Sequence, residues 1–202
     1  GLSNELPGNI RNSKVRSVVS IHDLIFLHYP EWYKPVDRAI YRTKFRHSCQ
    51  VADRIVAISE QTKRDIIEYY GIPEERIQVV YQSCHALFKK MMPDDEKESV
   101  KRKYRLPDDF LLYVGTVEER KNLLNIVKAI HTGKIDMPLV VVGRKTGYYK
   151  KVKHYIESEK LSAIYFMDEI SVEDLPAMYQ LASVFIYPSV FEGFGIPILE
   201  AL

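Results

Sequence analysis

Three sets of residues in this 202-residue sequence have the types and spacing that chemistry needs. Glu192 and Glu200 bracket a short stretch holding Gly193, Gly195 and Pro197. Arg120 and Lys121 are adjacent cations a few residues beyond Gly115, where the apolar run 110–114 ends. His22 and Asp23 follow directly on a second apolar run, 15–21. Carboxylates accept hydrogen bonds from hydroxyls, or serve as acid, base or nucleophile. Adjacent cations hold phosphate through charge-assisted bonds.

Each set also has an ordinary reading. Glu192 and Glu200 fit solvated glutamates on a strand-to-helix turn. Arg120 and Lys121 fit solvated cations balanced by Glu118 and Glu119. His22 fits a side chain that caps a strand or bonds a neighbouring loop. One local conflict favours chemistry in the second set. Cations oppose the positive end of a helix dipole, and a helix is expected from residue 122, so an anion between them would relieve the conflict.

The elements that position these residues alternate. Strands are expected at 15–21, 54–58, 77–81, 110–114, 139–142, 164–166 and 184–187. Helices are expected at 36–52, 96–104, 122–130, 148–160 and 172–182, the last capped by Ser171 with Asp174 three residues on. A further helix runs from the Ser59 cap to Gly71. Residues 184–187 read as a buried strand, and Pro197 fits the first turn of a following helix. That turn is a candidate anion site through its N–H groups. Alternation of this kind implies parallel strands in a doubly wound α/β sheet, with ligands at the carboxyl ends of the strands. Residues 1–14 are polar and turn-rich, and the pattern loosens over 82–107. The expected domains are therefore 1–88 and 89–202. In helix 36–52, Val36, Ile40, Phe45 and Cys49 form an apolar face. Arg38, Arg42 and Arg46 recur on another, either solvated or turned to anionic lipid or a phosphorylated acceptor.

Composition narrows the classes. Hydrophobic content of 46% and charged content of 28% describe a soluble globular protein. A net charge of +2 does not advertise nucleic-acid binding. No apolar run approaches a membrane span, and there is no signal-peptide pattern. Cys49 and Cys84 form neither a CxxC pair nor a disulfide framework, which fits a reducing cytoplasm. There is no GxGxxG after a strand, no GxxxxGK[ST], no HExxH and no GxSxG.

The segment EGFGIPILEA, from Glu192 through Glu200, resembles the donor-site signature of retaining glycosyltransferases of family 4, which have the two-lobed GT-B fold. LLYVGTVEERKNL resembles that family's donor-phosphate loop, and VVSIHDLIFLHYPEWY its His-Asp strand end. ADRIVAISEQTKRDIIEYYGIPEERIQVVY resembles the segment leading to the interdomain linker. The four motifs occur in the family's order and cover nearly the whole chain.

The resemblance implies two Rossmann-like lobes, with 1–88 the later part of the acceptor-side lobe and 89–202 the donor-binding lobe. By the same comparison the chain is expected to be a fragment. It starts past the first strands of one lobe and stops inside a helix at Leu202. Hexose transfer from a nucleotide sugar, with GDP-mannose the first candidate, to a glycan or lipid-linked acceptor is the implied activity. Surface-polysaccharide synthesis is its implied setting, and no metal or other cofactor is expected. Lys121, helped by Arg120 beside Gly115, would hold the diphosphate. Glu192 would accept from sugar hydroxyls, and the N–H groups of Phe194, Gly195 and Ile196 would bind the sugar or distal phosphate. Glu200 would take the ribose, and His22 would reach the donor sugar from the other lobe. Thr116 stands where many relatives carry an arginine, with Arg120 the nearest substitute. Two alternatives remain open: a non-catalytic nucleotide-sugar-binding module or inactive transferase, and a glycoside hydrolase using Glu192 and Glu200.

Overall fold

A computed structural model describes residue 6, residues 15–168 and residues 170–202. The expectation for residues 1–14 therefore lies, Leu6 apart, outside the described residues. Contacts divide the chain into two units. One comprises residues up to Gln82 together with Phe191–Gly195, and the other Ser83–Val190 with Ile196–Leu202.

The first unit holds a three-stranded parallel sheet of β1 (Val18–Ile21), β2 (Arg54–Ala57) and β3 (Ile77–Val79), in that order. Register runs from Val18 opposite Arg54 to Ile21 opposite Ala57, and Ile55 faces Ile77. Its helices are α1 (Ile25–His28), α2 (Pro35–Val51) and α3 (Glu60–Tyr70). Val19, Ile21, Leu24, Cys49, Ile55, Ala57 and Ile66 are fully buried and form the core. β1 starts three residues later than expected, because the Ser17 N–H and hydroxyl donate to Asp53 Oδ2 at 2.7 and 3.1 Å.

The α3 signals act as read. The Ser59 hydroxyl accepts from the Thr62 N–H at 3.1 Å, and Gly71 closes the helix in the left-handed conformation. At the end of α2, Arg76 donates to the carbonyls of Cys49 and Gln50 at 3.1 and 3.2 Å, and to that of Ala52. A cation is favourable there, where carbonyls have no partner within the helix. The expected apolar face of α2 needs correction. Cys49 is buried and Phe45 packs on Phe26 at 5.5 Å, but Val36 and Ile40 are 69% and 45% exposed. Only the second half of the helix reaches the core.

The second unit holds four parallel strands in the order β6-β5-β4-β7: β4 (Leu111–Val114), β5 (Leu139–Val142), β6 (Ile164–Met167) and β7 (Val184–Phe185). Strand alternation divides the core between the two faces. Leu111, Tyr113, Leu139 and Val141 pack with α5 (Leu123–Thr132) and α6 (Tyr149–Ser158). Leu112, Val140 and Val142 pack with α4 (Asp94–Tyr104) and α7 (Leu175–Leu181). Burial on both faces explains why β5 is the uninterrupted run LVVV.

Two expectations shorten here. The Ser171 hydroxyl accepts from the Asp174 N–H at 3.2 Å as anticipated, yet α7 begins only at Leu175. Asp174 is instead held by Lys103 Nζ at 2.6 Å and the Tyr104 hydroxyl at 2.8 Å, fastening α7 to α4. Residues 184–187 do not make a long buried strand. β7 is two residues paired with Leu111 and Leu112, and Val184 is 49% exposed. β7 has a single strand neighbour, so only one edge of it is paired among the described residues.

Candidate functional site

In the second unit Gly115, Arg120 and Lys121, three of the expected donor residues, lie beyond the end of β4. A Cβ built on Gly115 would lie 3.7 Å from Lys121 Cδ and 3.7 Å from the Tyr113 hydroxyl, so the lysine stem crosses this glycine. Lys121 Nζ donates to the Tyr187 hydroxyl at 3.2 Å and stands 5.1 Å from the centre of that ring. Gly143, at the end of β5, is there for close approach, since a Cβ on it would run into the Gly115 carbonyl.

Arg120 and Lys121 are not at the start of α5. They lie in a short 3₁₀ turn, Glu119–Lys121, and Asn122 (φ 62°, ψ 27°) breaks the chain before Leu123. The expected clash between cations and helix dipole is therefore relieved by geometry, one turn ahead of the helix. The Asn122 amide donates to the Pro188 carbonyl at 3.2 Å, and the Val190 N–H to the Arg120 carbonyl at 2.9 Å. These bonds tie the cationic turn to the segment after β7. Arg120 itself pairs with Glu118 at 2.7 Å, as the ordinary reading had it for that residue.

Ile196 opens α8 (Ile196–Glu200), with Pro197 in its first turn. Glu200 Oε2 accepts a 2.9 Å hydrogen bond from the Tyr179 hydroxyl on α7. Burial, then the Glu200 carboxylate, holds the Tyr179 phenol well above the usual range, so it stays protonated and donates.

In the first unit, His22 and Asp23 follow β1. His22 is exposed, with Nδ1 3.5 Å from Gln82 Nε2, while its carbonyl accepts from the Thr62 hydroxyl at 3.1 Å. Asp23 Oδ1 accepts from the Ile25 N–H at 3.2 Å. The segment Phe191–Gly195, which holds Glu192, groups with this unit. Phe191 lies 4.6 Å from the His28 ring, and Phe194 stacks on Tyr81 at 5.9 Å. Gly193 is buried against His22, and a Cβ there would meet the His22 carbonyl oxygen. Gly195 follows with φ 93°.

Thus Gly115 and Lys121 come together with Tyr187, and Glu192's loop lies on the His22–Asp23 backbone. Glu200 belongs instead with Tyr179. The sequence carried no signal for Tyr179, whose role depends on partners distant in the chain, whereas the left-handed turn at Asn122 suits a residue type that adopts that conformation readily. Among the described residues no group of three or more His, Cys, Asp or Glu side chains could hold a metal ion. Also among them, no helix is long and apolar enough to cross a membrane.

Solved structures share this fold. A structure of Anabaena Alr3699/HepE in complex with UDP and glucose matches with a TM-score of 0.74 at 18% identity, over 91% of this chain and 49% of that one. WaaG, a glycosyltransferase involved in lipopolysaccharide biosynthesis, matches with a TM-score of 0.71 at 18% identity, over 98% and 55%. Two parallel-sheet units with ligand-type residues at strand ends place the chain in the GT-B class of α/β folds. The chain belongs to the glycosyl transferases group 1 family, whose model matches residues 94–202, and the Glycosyltransferase Family 4 model matches residues 6–83. The O-antigen chain mannosyltransferase B of Escherichia coli is 32% identical over 93% of this chain and 50% of that protein. The O-antigen chain mannosyltransferase RfbU of Salmonella typhimurium is 24% identical over 91% and 48%. The chain spans about half the length of these relatives.

Proposed function

We propose that this chain belongs to a retaining glycosyltransferase that moves a hexose from a nucleotide sugar to a glycan or lipid-linked acceptor in surface-polysaccharide synthesis. The observation that carries the reading is the Lys121 side chain, whose stem crosses Gly115 just beyond β4 and whose ammonium is held against Tyr187. A cation there suits a diphosphate at the ligand-bearing end of a parallel sheet. GDP-mannose is the first candidate donor, supported by the O-antigen mannosyltransferases among the relatives.

The chemistry follows from charge. As the sugar leaves its phosphate, positive charge grows on the sugar ring and negative charge on the diphosphate. Lys121, assisted by Arg120, stabilises the leaving diphosphate in place of a divalent metal. Glu192 accepts hydrogen bonds from the transferring sugar, and His22 is assigned to the same sugar. The N–H groups of Phe194, Gly195 and Ile196 bind sugar or distal phosphate, and Glu200 takes the ribose hydroxyls.

For α2 we assign the inner face of the cytoplasmic membrane. Val36, Ile40 and Tyr41 are exposed on the same helix as Arg42 and Arg46, and Arg38 and Arg42 line a groove with Phe26 and Thr43. Apolar side chains beside guanidinium groups suit an anionic lipid surface.

Transfer from a panel of nucleotide sugars, with and without acceptor, tests the reading. Glu200→Ala is expected to weaken nucleotide binding, and Glu192→Ala to harm turnover more than binding. Donor binding without transfer would indicate a non-catalytic module. Hydrolysis of a nucleotide-free glycoside would overturn the transferase reading.

A further inference from the structure

α8 has five residues, and none of them is buried. Packing therefore does little to fix the Glu200 side chain, whose torsions would otherwise stay free. What holds it comes from the core. Tyr179 is 8% exposed, with Phe88 edge-on to its ring at 5.8 Å and Phe185 edge-on at 5.1 Å. From that rigid seat its hydroxyl donates to Glu200 Oε2 at 2.9 Å. Burial keeps the phenol protonated, so the bond persists across the neutral pH range. One bond leaves most of the carboxylate's acceptor capacity for a ligand.

We infer that Tyr179 is a positioning residue that aims the Glu200 carboxylate at the vicinal 2′- and 3′-hydroxyls of a ribonucleoside diphosphate. The pair thereby selects ribonucleotides over 2′-deoxyribonucleotides. The inference rests on the assignment of Glu200 to the ribose. A vicinal diol matches the two oxygens of a fixed carboxylate. Loss of one hydroxyl leaves an oriented acceptor without its donor, which is how sites built on hydrogen bonds discriminate.

Calorimetric titration of the intact protein with GDP and 2′-deoxy-GDP, and with UDP and 2′-deoxy-UDP, gives the ribo-to-deoxy affinity ratio. The wild-type ratio is expected to be about tenfold or more for the pair that binds. Tyr179→Phe, which keeps the ring and its packing, is expected to cut that ratio by about threefold or more. Val152→Ala, in the core on the opposite face of the sheet, leaves Tyr179 and its ring contacts in place. It should lower the melting temperature and leave the ratio unchanged, which separates a positioning role for Tyr179 from general destabilisation. Glu200→Ala should bring the ratio close to one. If Glu200→Ala abolishes discrimination and Tyr179→Phe preserves it, the positioning role is overturned while the ribose assignment stands. If Glu200→Ala leaves the ratio unchanged, both are overturned.

Discussion

The carbonyl oxygen of His22 stands where a side chain on Gly193 would have to go, with the His22 carbonyl carbon 3.0 Å and Asp23 Cβ 3.1 Å from the same point. The loop that carries Glu192 is therefore seated on the backbone that carries His22. Gly193→Ala must push that backbone apart, at about 1–3 kcal/mol by the usual cost of overpacking. Denaturant midpoints should fall accordingly, and transfer should fall further, because Glu192 is the preceding residue. Wild-type stability and turnover in this variant would show that the loop does not rest on His22.

The stem of Lys121 crosses Gly115 while its ammonium meets Tyr187. Lys121→Met keeps the stem and removes the charge. Affinity for a nucleoside diphosphate should drop about ten- to a hundredfold, the range for a hydrogen bond to a charged group. Affinity for the nucleoside alone should hold. Equal losses for both ligands, measured by calorimetry, would remove the diphosphate role.

Cys49 is fully buried, and burial pushes its thiol up to about 12 from an ordinary 9.0, against a smaller opposing pull from Arg76. Thiolate is the reactive form, so a thiol reagent should modify Cys84 in the native protein and reach Cys49 only after unfolding. The sign of the pH effect follows. The folded thiol keeps its proton where the unfolded one has lost it, so the stability from this group is whole below about pH 9 and is lost as pH rises toward 12. Thermal melts across that window should decline less steeply in Cys49→Ala. Fast native labelling of Cys49 would contradict its burial.

α2 tests the membrane assignment. The intact protein should co-sediment with phosphatidylglycerol vesicles and not with phosphatidylcholine vesicles, and added salt should weaken the association. Arg38→Glu, Arg42→Glu and Arg46→Glu together should release it. Binding that ignores vesicle charge would refute an electrostatic role for this helix.

Features that depend on neighbours in sequence are legible in the sequence itself. The Ser59 cap and the Gly71 stop act within α3, and the LVVV run of β5 lies where its composition puts it. The position of His22 directly after β1 follows from the same alternation, whereas Arg120 and Lys121 lie in a 3₁₀ turn ahead of α5 and the two-residue β7 ends well before Glu192. Features that depend on distant partners were not legible. Val36 and Ile40 read as core and are exposed, because periodicity marks a face and does not say what covers it. Arg120 read as a cation beside a helix start, and the left-handed turn at Asn122 removed that conflict.

Residues 184–202 show where the boundary lies. Residue order alone specified a strand, a glycine loop carrying Glu192 and a helix carrying Glu200, because propensity and turn chemistry act over a few residues. Tertiary structure decided what each glutamate meets. Gly193 presses the loop of Glu192 onto His22, and a phenol buried between Phe88 and Phe185 holds Glu200. Hydrogen bonds and steric contact act over a few ångströms in space, and only the fold brings residues separated in the chain within that reach.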